Sequence, residues 1–103
     1  MTRVAVYCGS SIPIREAQLI LPDAVFSGPI RRGDLERVDA EVICLIDGFF
    51  NQNLAVSVQE ISSALKRKRV FFGSSSMGAL RAAECRSLGF RGIGEIFRRY
   101  ASG

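Results

Sequence analysis

Val70-Phe71-Phe72-Gly73-Ser74-Ser75-Ser76-Met77-Gly78-Ala79-Leu80-Arg81-Ala82-Ala83-Glu84 is an apolar run that passes through a Gly/Ser turn into an alanine-rich segment. The β-branched and aromatic residues ahead of the turn predict a strand, and the alanine, leucine and methionine after it predict a helix. Such a junction leaves the first-turn N–H groups of the helix facing whatever lies beyond the strand end. The helix dipole favours an anion there, and Ser75 or Ser76 is placed to cap. Arg81 and Glu84, three residues apart, share a helix face and can pair with each other or with a ligand. The same pattern also fits a capped helix that packs on a sheet and does nothing more.

Outward from this unit the alternation repeats. Residues 3–8 (R-V-A-V-Y-C) read as a first strand stopped by Gly9-Ser10-Ser11. Pro13, with Ser11 as cap, opens a helix that runs to Pro22. Residues 23–26 form a short second strand before Gly28-Pro29, and Gly33-Asp34 opens a helical turn through Leu35 and Val38. Residues 41–46 (E-V-I-C-L-I) are almost continuously apolar and close on Asp47-Gly48, which predicts a strand buried on both faces. Leu54, Val58, Ile61 and Leu65 recur at helical spacing, one face of a helix over 53–66. A fourth strand over 69–72 leads to a helix over 76–88 ended by Gly89. After the Gly92-x-Gly94 turn, Ile96, Phe97 and Tyr100 mark a short last helix.

Strand and helix alternating in this way predict an α/β three-layer sandwich, Rossmann- or flavodoxin-like, with a mostly parallel four-stranded sheet in one domain over 1–103. Ligands bind such sheets beyond the carboxyl ends of the strands. Three glycine-bearing loops are expected to converge there: Cys8-Gly9-Ser10-Ser11, Asp47-Gly48-Phe49-Phe50 and Ser74-Ser75-Ser76-Met77-Gly78. Together they offer a thiol, several hydroxyls, a carboxylate and a helix start around one crevice.

Composition bounds the chemistry. At 103 residues, 48% hydrophobic and 23% charged, the chain can bury one core without staples. The net charge of +4 comes mainly from Lys66-Arg67-Lys68-Arg69, Arg31-Arg32 and Arg98-Arg99. No aromatic residues interleave the longest basic run, so it reads as a solvated helix end, not as a nucleic-acid surface. Three cysteines, far apart and without a C-x-x-C pair, indicate no disulfide framework; with no histidine, a zinc site is not expected either. No metal or other cofactor is expected. The setting read from cysteine usage is reduced and cytoplasmic, and no segment offers the ~20 apolar residues that cross a bilayer.

The absence of histidine excludes a Ser-His-Asp arrangement. Cys8 and Ser76 remain as candidate nucleophiles, with Asp47 or Glu84 as base. Of the two a thiol suits better, because a nearby helix dipole and Arg81 would favour its thiolate. The plainer reading makes Cys8 a small core residue, like Cys44 and Cys85. Asp47, ending an otherwise apolar strand, is the residue least suited to packing.

The blocks G-x-S-I-P (Gly9, Ser11, Ile12, Pro13), Gly33-Asp34, L-I-D-G-x-F (Leu45 to Phe50), E-I-x-x-A-L (Glu60 to Leu65), G-S-S-S-M-G-A-L-R-A-A-E (Gly73 to Glu84) and G-x-G-x-I-F (Gly92 to Phe97) resemble the TfuA-like core domain over almost the whole chain. Proteins of that kind act beside YcaO-type enzymes, which activate a peptide amide oxygen with ATP, and the pair installs thioamides. The resemblance implies a role in sulfur supply: handling a thiocarboxylated ThiS-like carrier, releasing its sulfide and assisting the YcaO partner. It implies catalytic roles for Ser76, Asp47, Arg81 and Glu84, with Cys8 beside them, and substrate contacts from Gly9, Ser11, Gly48, Ser75, Met77 and Gly78. Many relatives carry a His-Lys pair where this chain has Val58-Gln59, so an adaptor that docks on YcaO and binds an anionic or phosphate group without chemistry is the alternative. Val4 to Ser11 also resembles the opening of the lysine-decarboxylase-like phosphoribohydrolases, but their P-G-G-x-G-T-x-x-E loop is absent.

Overall fold

The computed structural model describes residues 3–49, 51 and 53–102, apart from the side chain of Ser76. Within these residues five strands form one parallel sheet: β1 (Val4–Tyr7), β2 (Val25–Ser27), β3 (Val42–Leu45), β4 (Val70–Gly73) and β5 (Arg91–Gly92), in the order β2-β1-β3-β4-β5. The helices are α1 (Ile14–Ile20), α2 (Val58–Lys66), α3 (Ser75–Cys85) and α4 (Glu95–Ala101). The architecture is the α/β one expected, with one strand more. Two residues carry no periodic pattern, so β5 is a strand only because Arg91 and Gly92 lie in register with Phe72 and Gly73. The Arg91 guanidinium also sits 5.7 Å from the Phe72 ring centre.

From β1 the chain winds outward to β2, then returns to build β3, β4 and β5 on the other side. The winding therefore reverses between β1 and β3, and such a reversal opens a crevice at the carboxyl ends of those two strands.

The main core lies on one face of the sheet, where Ile43, Leu45 and Phe71 meet Ile61 and Ala64 of α2, Met77, Ala82 and Cys85 of α3, and Phe90. The Phe71 and Phe90 rings stand 5.2 Å apart. Each large apolar side chain buried here is worth about 1.5–3 kcal/mol. The opposite face holds Val6, Cys8 and Ala17, with Phe26, Cys44 and Ile46 partly covered. At seven residues α1 reaches only part of this face. β3 is thus buried on one face, not on both as expected, and Val42 and Cys44 stay half-buried.

Other departures come from side chains that found different partners. α2 starts at Val58, not at 53, because Ser57 and Glu60 form a reciprocal capping box: the Glu60 N–H donates to Ser57 Oγ at 3.1 Å, and the Ser57 N–H donates to Glu60 Oε1 at 3.0 Å. Leu54 and Val58 are exposed as a result. The other Glu60 oxygen accepts the Gly33 N–H at 2.6 Å, which ties α2 to the β2–β3 connection. Ser11 does not cap α1; Pro13 holds the cap position. Ser74, not Ser75 or Ser76, holds the cap position of α3, without a side-chain cap bond of its own.

Candidate functional site

Register decides which loops meet. Tyr7, Leu45 and Gly73 are aligned across β1, β3 and β4, so the loops that follow them leave the sheet at one level. Missing side chains then allow close contact. A Cβ on Gly78 would fall 1.7 Å from the Leu45 carbonyl oxygen, and one on Gly73 would fall 2.2 Å from the Gly78 carbonyl oxygen. The start of α3 is thereby pressed onto the end of β3, where the Gly78 N–H donates to the Ile46 carbonyl at 3.3 Å. Met77, 1% exposed, is sealed beneath Gly48, which has no room for a Cβ above it.

Asp47 organises this rim. It is 4% exposed, and a carboxylate so buried needs hydrogen-bond donors to offset lost hydration. Its Oδ2 accepts the N–H groups of Gly9 at 2.7 Å and Ser11 at 3.1 Å, and its Oδ1 accepts the Ser11 hydroxyl at 2.6 Å. The Ser11 hydroxyl in turn lies 2.6 Å from that of Ser75. Ser75, first residue of α3, has φ +62°, a left-handed state that side chains other than glycine rarely adopt. A chain of polar atoms thus runs from a buried carboxylate through two hydroxyls to the open side of the crevice.

Gly9, Ser11, Asp47, Gly48, Ser75, Met77 and Gly78 are therefore gathered at one place, with Met77 as packing beneath it. Phe50 and the Ser76 side chain lie outside the described residues. Arg81 and Glu84 form a separate pair on the flank of α3, with Nη1 and Oε1 2.6 Å apart. Arg81 Nε donates to the Val56 carbonyl at 2.9 Å, which clamps α3 to the segment ahead of α2. Six residues past Ser75, Arg81 stands about 9 Å farther along the helix axis.

Of the two readings of Cys8, thiolate or small core residue, the structure gives the surroundings of the second. Cys8 is 0% exposed and packs with Val6 and Ala17. Burial first, and then the Asp47 carboxylate, push its thiol above the ordinary range, the opposite of activation. Cys85 is equally buried, while Cys44 is only half-buried and so is not the full core residue expected. Among the described residues no group of three or more Cys, Asp or Glu side chains is placed to hold a metal ion, and no helix is long and apolar enough to cross a membrane.

A cavity of about 1370 Å³ lies over β1 and β2, lined by residues that include Tyr7, Ser27, Arg31, Arg37 and Phe49. It forms because the β2–β3 connection holds a single 3-10 turn, Asp34–Glu36, where a full helix would cover the strands. Pro29, which also lines it, packs against Gly9, so this groove and the Asp47 rim share a wall.

A family model described as TfuA-like protein matches residues 47–103, more than half of the chain. The chain belongs to the TfuA-like family. A comparison with curated proteins finds no match. In this TfuA-like chain the matched segment begins at Asp47 and supplies Ser75 and α3, whereas Gly9 and Ser11, which Asp47 holds, precede it. The reading from sequence missed the contact between Ser11 and Ser75 and the left-handed backbone at Ser75. Glycines two before and three after Ser75 were the legible signal of a strand-to-helix turn too tight for ordinary side chains.

Proposed function

We propose that this TfuA-like chain works beside a YcaO-type ATP-dependent enzyme in thioamidation of a peptide or protein backbone, binding a thiocarboxylated ThiS-like sulfur carrier and hydrolysing it to deliver sulfide. The observation that carries this reading is the gathering of three strand-end loops at the β1–β3 crevice, with Asp47 holding the Gly9–Ser11 loop against Ser75. A carrier tail is a narrow, extended Gly-Gly end that bears a negative charge. The first turn of α3, at the end of the sheet where the loops meet, suits its charge.

Sulfide release converts a thiocarboxylate and water into a carboxylate, hydrosulfide and a proton. The step passes through a tetrahedral oxyanion that backbone donors stabilise. Gly78 spends its N–H on Ile46, so that task falls to the earlier residues of the turn. Arg81 braces the rim through Val56, and in this reading it shapes the crevice instead of touching the tail.

One observation favours the adaptor reading: Val58 and Gln59, exposed in the first turn of α2, bear no group that could move a proton where relatives carry His-Lys. Incubating the pure protein with thiocarboxylated carrier and measuring sulfide, with and without the YcaO partner, separates the two. Release without YcaO establishes the hydrolase. Stimulation only in the ternary mixture establishes the adaptor, and no effect in either mixture removes both.

A further inference from the structure

We infer that the groove over β1 and β2 is a binding site for a nucleoside monophosphate, with the phosphate on Arg31 and the hydroxyls of Tyr7 and Ser27 and the base on the apolar strand faces beyond them. Pro29 divides this site from the Asp47 rim, and the site is independent of the sulfur-carrier reading.

The floor is the first observation. Side chains alternate along a strand, so Ala5 and Tyr7 of β1 and their register partners Val25 and Ser27 of β2 share one face of the sheet. Farther along that face α2 and α3 cover the strands. Over β2 the short connection leaves Val25 67% exposed. Ala5 and Val25 thus make an apolar floor with the exposed Phe49 ring beside it, a surface that suits a flat heteroaromatic ring.

Tyr7 is the second. It is 6% exposed and lines the groove, yet its hydroxyl has no hydrogen-bond partner among the described residues. Buried polar groups are nearly always paired, so a hydroxyl held at a cavity wall without a protein partner points to a group that enters from outside. Burial, and then the Asp34 carboxylate, push the phenol above its ordinary range. At neutral pH it therefore keeps its proton and can donate.

Charge is the third. Tyr7 and Ser27 end their strands side by side, and Arg31 follows four residues after Ser27, so all three stand at the carboxyl end of the groove. The Arg31 guanidinium has no partner among the described residues. Asp34, the carboxylate at this end, is already held by the Arg31 N–H at 2.9 Å and faces the Arg37 guanidinium at 3.7 Å. Two guanidiniums and two hydroxyls against one engaged carboxylate form a donor set for a phosphate. At the amino end Arg3 pairs with Asp39, and Asp23 adds a negative charge, so the positive surplus is confined to the other end. A bare phosphate would leave the apolar floor uncovered and a nucleoside would leave Arg31 unpaired, whereas a nucleoside monophosphate engages both.

The test is a calorimetric titration of the full chain with AMP, adenosine and inorganic phosphate. AMP should bind, and adenosine and phosphate should each bind about 10-fold or more weakly than AMP. Tyr7→Phe should weaken AMP about 5-fold and Arg31→Ala about 10-fold or more, with adenosine unchanged in both, because the lost contacts are to the phosphate. Removing a hydroxyl without a protein partner should leave the melting temperature of Tyr7→Phe at the wild-type value, so its weaker binding is not a folding defect. No AMP binding, or AMP binding that neither variant alters, overturns the assignment. Adenosine binding as tightly as AMP does the same. A chain that sediments as a dimer, split by Val25→Lys, also overturns it, since a second copy would then cover the groove. Neither side chain belongs to the Asp47–Ser11–Ser75 network, so this result and that of the sulfide assay are independent.

Discussion

Ser11 and Ser75, 64 positions apart in the chain, hold their hydroxyl oxygens 2.6 Å from each other. That contact ties the loop after β1 to the start of α3, and it is kept at the expense of a left-handed backbone at Ser75. Alanine at position 75 pays the same steric penalty as serine, while glycine does not. Ser75→Gly should therefore be about 1 kcal/mol more stable than Ser75→Ala, although both lack the hydroxyl, a difference of roughly 4–8 °C in melting temperature for a domain of this size. Equal melting temperatures would show that the backbone there is relaxed.

Gly78 cannot be replaced. Its Cβ would lie 1.7 Å from a backbone oxygen that is fixed within the sheet register. Gly78→Ala should cost about 3 kcal/mol or more, read as loss of the cooperative urea transition. Gly28→Ala, with nothing within 4 Å of the added carbon, should stay within about 0.5 kcal/mol of wild type. A stable Gly78→Ala variant would mean that α3 does not press on β3 as described.

Asp47→Asn and Asp47→Ala should part company. Asparagine keeps an acceptor for the Gly9–Ser11 loop, so the protein stays folded, while sulfide release falls at least 10²-fold for want of a proton acceptor. Alanine strands the N–H groups of Gly9 and Ser11 and the Ser11 hydroxyl, at about 1–3 kcal/mol for each buried group left unpaired. Thermal melts and the sulfide assay report the two effects separately. Wild-type sulfide release by Asp47→Asn would remove Asp47 from the proposed machinery.

Stability should be nearly flat between pH 6 and 8, since the chain has no histidine to titrate there. Burial raises the thiols of Cys8, Cys44 and Cys85 and the phenol of Tyr7. For an acid whose folded pKa is raised, the native state holds protons that the unfolded chain has already lost, so stability falls as pH rises past the unfolded value. Urea midpoints should therefore begin to drop above about pH 9, where free thiols ionise, and drop again near pH 10. A midpoint that rises over this range contradicts the burial of these groups.

Periodicity and turn chemistry made most of the fold legible. The apolar run before Gly73 and the alanine-rich run after it are local patterns, and they became β4 and α3 with small changes of boundary. The Ser57-x-x-Glu60 box is equally local but was not read: apolar spacing put the start of the helix at 53, and the box sets it at Val58 through atoms three residues apart. β5 was not legible, because its two residues are a strand only by virtue of β4 beside them. Two-sided burial of β3 was also misread: an apolar run states which residues prefer cover, not whether a seven-residue helix reaches them.

At the site the same division holds. The sequence by itself determined that Gly-bearing polar turns end the strands, that Asp47 closes an apolar run and that histidine chemistry is absent. Only the tertiary structure decided that Ser11 serves Asp47 and Ser75 instead of capping α1, that Arg81 clamps Val56, and that Cys8 is sealed in the core. The reason is range: a cap or a turn is settled by atoms a few residues away, whereas the partner of a hydroxyl or a guanidinium is whichever group the sheet register brings within about 3 Å.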